Sequence, residues 1–152
     1  MTDPRSPDSG SSRSGQVWYA SYGSNLLRQR FEHYLTGGTF RGAPQRGQHV
    51  GARDSALPTD DRAWRVPHGL RFAGESTRWS GGGVAFLDPA VGSGEAVVRM
   101  YRITAAQFSD VAAQENGLRP GDLSVDVDAL VANGGQDISD RWYGRGLYLG
   151  DV

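Results

Sequence analysis

Apolar positions along the chain form short alternating runs, broken by three stretches of helical spacing. Val17-Trp18-Tyr19-Ala20-Ser21-Tyr22 is β-branched and aromatic and predicts a strand. Gly23-Ser24-Asn25 predicts a turn with two candidate N-cap residues. The spacing then predicts a helix from Leu26 to Leu35. Leu27, Phe31 and Leu35 share one face, Arg28, Arg30 and Glu32 lie outside it, and Gly37-Gly38 ends it. Residues 41–68 are polar and support only weak strands, near Gln48–Ala52 and Trp64–Val66. Gly69–Ala73 and Gly83–Leu87 predict strands separated by a turn over Trp79–Gly83. Asp88–Glu95 reads as a loop. Ala96–Ile103 gives the strongest strand pattern, with Val97, Tyr101 and Ile103 on one side and Val98 and Met100 on the other.

Thr104 and Gln107 have the spacing of a capping box. They open a predicted helix that runs to Gln114 or Glu115 and closes at Asn116-Gly117. Leu123, Val127, Leu130 and Val131 predict a further helix over Asp122–Ala132, and Trp142–Leu149 predicts a last strand. The chain stops right after that pattern, so either it is a fragment of a longer protein or its last strand is an edge. Residues 1–15 carry five serines and no apolar residue after Met1, and read as a disordered tail. The remainder of the 152-residue chain, 16–152, reads as one domain. Strands outnumber helices and interleave with them, which predicts an α+β or mixed-sheet domain.

Composition narrows the chemistry. There is no cysteine, and all 16 basic residues are arginine. That excludes disulfides, thiol nucleophiles, Cys-ligated zinc, lysine Schiff bases and a P-loop lysine. The same arginine bias, with 22 glycines, fits a GC-rich genome. Net charge is −1, which gives no basic field for nucleic acid. No apolar run reaches a membrane span and no signal-peptide core opens the chain, so a cytoplasmic location without membrane attachment is expected. His33, His49 and His68 are scattered, none four residues from another, and read as solvated or singly hydrogen-bonded rather than as metal ligands. The acidic run Asp122 to Asp128 lacks the calcium-loop glycine and glutamate, and reads as a solvated helix face.

Two features carry chemistry. The strand–Tyr22-Gly23-Ser24-Asn25-Leu26–helix junction gathers backbone N–H groups where a helix has no internal acceptor, so it can hold an anion. By geometry alone an ordinary capped turn is the simpler reading. Glu115 falls three and four residues beyond Ala112 and Val111, on the apolar face that Phe108 also shares. A carboxylate buried there is raised toward neutrality and suits general acid/base work. A frayed helix end turned to solvent is the alternative. Glu75, after the Gly69–Ala73 strand, is a third and weaker candidate, more simply read as a loop carboxylate.

Val17-Trp18-Tyr19-Ala20-Ser21-Tyr22-Gly23-Ser24-Asn25-Leu26 resembles the N-terminal signature of the γ-glutamylcyclotransferase-like superfamily, in which an aromatic strand runs into Tyr-Gly-Ser-Asn-Leu. Trp79-Ser80-Gly81-Gly82-Gly83-Val84-Ala85 is similar to its Trp-x-Gly-Gly-hydrophobic-Ala segment. Val98 to Ile103, followed by a helix ending Gln114-Glu115-Asn116, resembles its strand–helix pair with the catalytic glutamate. Val111-Ala112 and Asn116 depart from the Leu-Asp and Gly often found around that glutamate, and 41–68 has no clear counterpart. The family domain usually continues past the last strand seen here.

The resemblance implies an α+β fold with a small mixed β-barrel-like sheet and flanking helices. It implies cofactor-free and metal-free cyclisation of a small-molecule γ-glutamyl amide. The α-amine attacks the γ-carbonyl, releasing 5-oxoproline and an amine or amino acid. Glu115 takes the acid/base role, and Tyr22, Gly23, Ser24, Asn25 and Leu26 bind substrate, with the N–H groups of 23–26 on its carboxylate and oxyanion. Proximity of amine to carbonyl supplies up to ~7–11 kcal/mol in well-oriented cases. Two other readings stand beside it: an amide hydrolase or deacylase using water in the same cleft, and a non-catalytic small-molecule-binding module. The leaving group's walls are expected from residues 41–80. Oligomeric state is left open.

Overall fold

The computed structural model describes residues 15–40, 48–76 and 81–151. The expected tail lies outside them except for Gly15, whose carbonyl accepts from the Ala105 N–H at 2.6 Å. Trp79 and Ser80 of the expected Trp79–Gly83 turn lie outside them as well.

Strand β1 (Gln16–Ser21), β4 (Asp60–Val66) and β7 (Ala96–Thr104) form one antiparallel sheet with β7 in the middle. Side-chain parity on β1 and β7 sorts the core into two clusters. Val17, Tyr19, Tyr101 and Ile103 face Phe31, Tyr34 and Leu35 of helix α1 (Arg28–Thr36) and Val111 of helix α2 (Ala105–Glu115). Trp18, Ala20, Tyr22, Ala96, Val98 and Met100 face Val66, Leu87 and Leu149. On the first side the Phe31 ring stacks on Tyr101, with centroids 4.0 Å apart, and on Tyr19 at 5.3 Å. Val97, expected on the side of Tyr101, is half-exposed.

The other strands pair off: β2 (Gly38–Thr39) with β3 (Gln48–His49), β5 (Leu70–Ser76) with β6 (Gly82–Leu87), and β8 (Gly135–Asp137) with β9 (Arg145–Leu147). The fold is α+β, but among the described residues every pairing is antiparallel and no sheet closes. The expected mixed, barrel-like sheet is therefore corrected to small open antiparallel sheets.

Several elements differ from expectation for local reasons. A short 3-10 turn over Ser24–Leu26 precedes α1, so the helix starts at Arg28 and Leu27 is an extended, half-exposed N-terminal residue without a side-chain cap. Neither Ser24 nor Asn25 caps α1. Arg30, expected outside, is buried. Gly37, with φ 77, does end α1, and a Cβ there would meet the Val50 carbonyl oxygen at 2.9 Å. Strand β4 is longer than Trp64–Val66 because its polar start is held by charge. Asp61 receives Arg28 Nη1 at 2.8 Å and Arg99 Nε at 2.7 Å. The third helix, α3, spans only Val127–Asn133, since Asp126 caps it and Asp122 accepts from the Arg119 N–H. The acidic run is thus mostly turn and cap. The expected last strand shrinks to Arg145–Leu147, because residues 142–144 are held elsewhere, and its partner β8 has no apolar pattern to announce it.

Helix α2 is built as its sequence predicts. Thr104 is both the last residue of β7 and the N-cap, with both capping-box bonds formed to Gln107. The C-terminus closes in a Schellman pattern, Leu118 N–H to the Ala113 carbonyl and Gly117 N–H to that of Gln114. A second, polar stripe was not foreseen. Gln107, Asp110 and Gln114 are buried and tie the loop after β3 to the helix. Gln107 Nε2 donates to the carbonyls of Asp54 and Ala56, and Gln114 Oε1 accepts from the Gly51 N–H. The Asp110 carboxylate accepts from the Arg53 N–H (2.9 Å), the Arg53 guanidinium (3.0 Å) and the Gly121 N–H (3.1 Å).

Replacing Asp110 leaves two backbone donors without their acceptor, so Asp110→Ala is expected to destabilise the fold by roughly 2–3 kcal/mol. Urea unfolding checks this; a loss below about 0.5 kcal/mol, the usual range for surface changes, would contradict it.

Candidate functional site

The direct passage of β7 into α2 sets where α2 ends, and Glu115 is its final residue. There Glu115 Oε1 accepts from the Tyr19 hydroxyl at 2.6 Å and from Asn25 Nδ2 at 3.1 Å. Tyr19 comes from the middle of β1 and Asn25 from the turn that follows it. The turn is itself anchored by β7: the Tyr101 hydroxyl donates to the Asn25 carbonyl at 2.6 Å. Glu115 thus meets the Tyr22–Leu26 junction directly rather than turning to solvent.

These residues line a cleft of about 1610 Å³, bordered by Tyr19, Tyr22, Gly23, Ser24, Asn25 and Glu115 among others. The Glu115 side chain is half-buried because the cleft is open, while the protein packed around the carboxyl removes most of its water. That desolvation pushes its pKa up to about 7, and the bonds from Tyr19 and Asn25 offset only part of the rise. Burial and the Glu115 charge hold the Tyr19 hydroxyl well above the usual phenol value, so it stays a donor. Tyr22 is raised by burial, Glu115 and Tyr143, and Tyr143 is raised to about 12 by burial, then Glu115. Both bonds fall on Oε1. Oε2 carries no hydrogen bond among the described residues.

The junction supplies fewer donors than its sequence suggests. The Leu26 N–H closes the turn onto the Gly23 carbonyl at 3.1 Å, and Leu26 is not among the residues that border the cleft. Gly23, Ser24 and Asn25 keep N–H groups that bond to no described residue. The Asn25 Oδ1 and Ser21 Oγ atoms are also buried without a hydrogen-bond partner among the described residues. Glu75 is exposed on β5 and borders the cleft. The histidines do not converge: His33 Nδ1 lies 2.7 Å from the Gln29 carbonyl, His68 Nδ1 2.8 Å from that of Asp88, and His49 packs against the Tyr34 ring. Among the described residues no three His, Cys, Asp or Glu side chains gather where a metal ion could sit.

Sequence reading missed Tyr19, although strand parity puts its ring on the side of α2. It also missed Asn116 and Tyr143. Asn116 Oδ1 accepts from the Tyr143 N–H at 2.9 Å, and its Nδ2 donates to the Tyr143 carbonyl at 3.1 Å. That pairing spans 27 residues and leaves no local signal.

No family model matches the sequence, and no solved structure matches it. The chain is 39% identical over 143 residues, 88% of its length, to a protein of Arabidopsis thaliana named Histone deacetylase 5. It spans 21% of that protein's length. No helix among the described residues is long and apolar enough to cross a membrane.

The raised carboxyl has a consequence for stability. Glu115 binds its proton more tightly folded than unfolded, where its value is 4.5. The folded chain therefore holds more protons between about pH 4.5 and 7, and stability falls as pH rises through that window. Glu115→Gln removes the loss. The variant is expected to be more stable than the parent at pH 8, by up to roughly 3 kcal/mol, with the gap closing toward pH 4.5. Denaturant titrations at the two pH values measure it; equal stability at pH 8 would show a carboxyl that is not desolvated.

Proposed function

We propose that the protein is a γ-glutamyl cyclotransferase, acting on a γ-glutamyl amide to give 5-oxoproline and an amine or amino acid. The observation that carries this reading is one carboxyl poised near neutrality, held by Tyr19 and Asn25 beside the N–H groups of Gly23, Ser24 and Asn25. The reaction asks for those parts. The substrate's α-nitrogen forms a bond to its own γ-carbonyl carbon as Glu115 Oε2 takes its proton. The carbonyl oxygen becomes an oxyanion. The bond from that carbon to the leaving nitrogen then breaks, and Glu115 returns the proton to that nitrogen. The N–H groups of the turn hold the substrate carboxylate and the oxyanion. The sequence signature around Tyr22–Leu26 supports the same reading, and with it a cytoplasmic site of action on a small molecule.

A second reading is hydrolytic deacylation with water as nucleophile, favoured by the name of the Arabidopsis relative. It gives free acid and amine without a cyclic product. A non-catalytic binding module gives neither.

Mass spectrometry of wild-type reactions with a panel of γ-glutamyl amides distinguishes the three, and 5-oxoproline is the expected product. Glu115→Gln is expected to lower kcat/KM by roughly 10²–10⁴ with the fold intact. The kcat/KM profile should rise with pH to a plateau, with its midpoint near 7. Tyr19→Phe removes a bond to the carboxylate and should move that midpoint upward. Glutamate as the released acid, or wild-type turnover by Glu115→Gln, overturns the mechanism.

A further inference from the structure

The cleft has a second wall, beyond the carboxyl, which the turn and Glu115 do not use. Asn116, next to Glu115 and buried, clamps the backbone of Tyr143 through both ends of its amide. The Tyr143 ring lies 5.5 Å from that of Phe86 on β6, and Phe86 stacks on Trp142 with the rings 8° from parallel and 6.4 Å apart. All three rings border the cleft. The wall thus starts at the catalytic residue's neighbour and runs outward to Trp142, which is 55% exposed.

Its outer end is seated rather than loose. Strand β5 is irregular between Ala73 and Ser76, and Gly74 there has φ +66. A Cβ at Gly74 would stand 2.7 Å from the Trp142 ring, so only glycine leaves room for it. An indole one residue before the clamped Tyr143 and seated over Gly74, yet left half open to a cleft, presents a preformed aromatic face. A small aliphatic leaving group covers little of such rings. A flat apolar one stacks on them.

We propose that Phe86, Trp142 and Tyr143 form the leaving-group subsite and select γ-glutamyl amides whose released amine or amino acid carries an aromatic ring. This rests on the cyclotransferase reading and adds the substrate class. It also moves the expected leaving-group wall from residues 41–80 to β6 and the segment before β9.

Two measurements test it separately. In the first, kcat/KM for γ-glutamylphenylalanine is compared with that for γ-glutamylglycine, γ-glutamyl-ε-lysine and glutathione. The aromatic substrate is expected to lead by about tenfold or more. Trp142→Ala and Gly74→Ala should each collapse the phenylalanine-to-glycine ratio toward one, and Trp142→Phe should restore most of it. In the second, binding of phenethylamine and butylamine to the protein is followed by calorimetry, which needs no turnover. Preference for phenethylamine that Trp142→Ala abolishes supports the subsite even if no 5-oxoproline is made. A ratio near one in the wild type, a lead for glutathione or the lysine substrate, or equal binding of the two amines overturns it.

Discussion

Strand β7 sends buried side chains to both of its faces, and that constraint organises everything around it. A central strand flanked antiparallel on each side must fill two cores with one alternating run. Tyr101 and Ile103 supply one core, and Ala96, Val98 and Met100 the other. Because Thr104 ends the strand and caps α2 at once, there is no loop in which the helix could drift. Eleven helical residues carry the chain about 16 Å from that cap, which is what delivers Glu115 to the mouth of the β1 turn. The turn is fixed by the same strand through the Tyr101 hydroxyl. Both halves of the candidate site are therefore referenced to β7.

The site opposes two tendencies of a carboxyl. Burial disfavours its charge, and the donors on Oε1 favour it; burial prevails. The fold gives up some stability at neutral pH to keep this group, and the second stripe on α2 compensates elsewhere. Gln107, Asp110 and Gln114 lock a loop without regular structure against the helix, so the helix that bears the desolvated carboxyl is held on two sides.

What was legible in the sequence were the features written into local spacing. The parity of β1, the pattern of β7, the capping box at Thr104 and Gln107, and the Glu115 position on the apolar face of α2 all follow from residues a few places apart. What was hidden depends on distant partners. The first half of β4 looks like a polar loop until Arg28 and Arg99 are seen on Asp61. Arg30 reads as a surface residue from its charge and its place off the Leu27–Phe31–Leu35 face, yet it is buried. The lengths of α3 and β9 were overestimated, since an aspartate cap and an asparagine clamp look like any other polar residue in one dimension. The open sheets replace a barrel because β5 and β6 bond only to each other among the described residues.

The two bonds on Glu115 Oε1 fix more than an orientation. They make the carboxyl lopsided: one oxygen accepts both bonds, and the other accepts none among the described residues. Under the proposed cyclisation such a carboxyl collects and delivers the proton at the same atom. In ring closure the arriving and departing nitrogens are bonded to one carbon of the tetrahedral intermediate, so both lie within a small tilt of that atom. The asymmetry of a single side chain thus matches a reaction whose two proton transfers share a centre, and it needs no second acid.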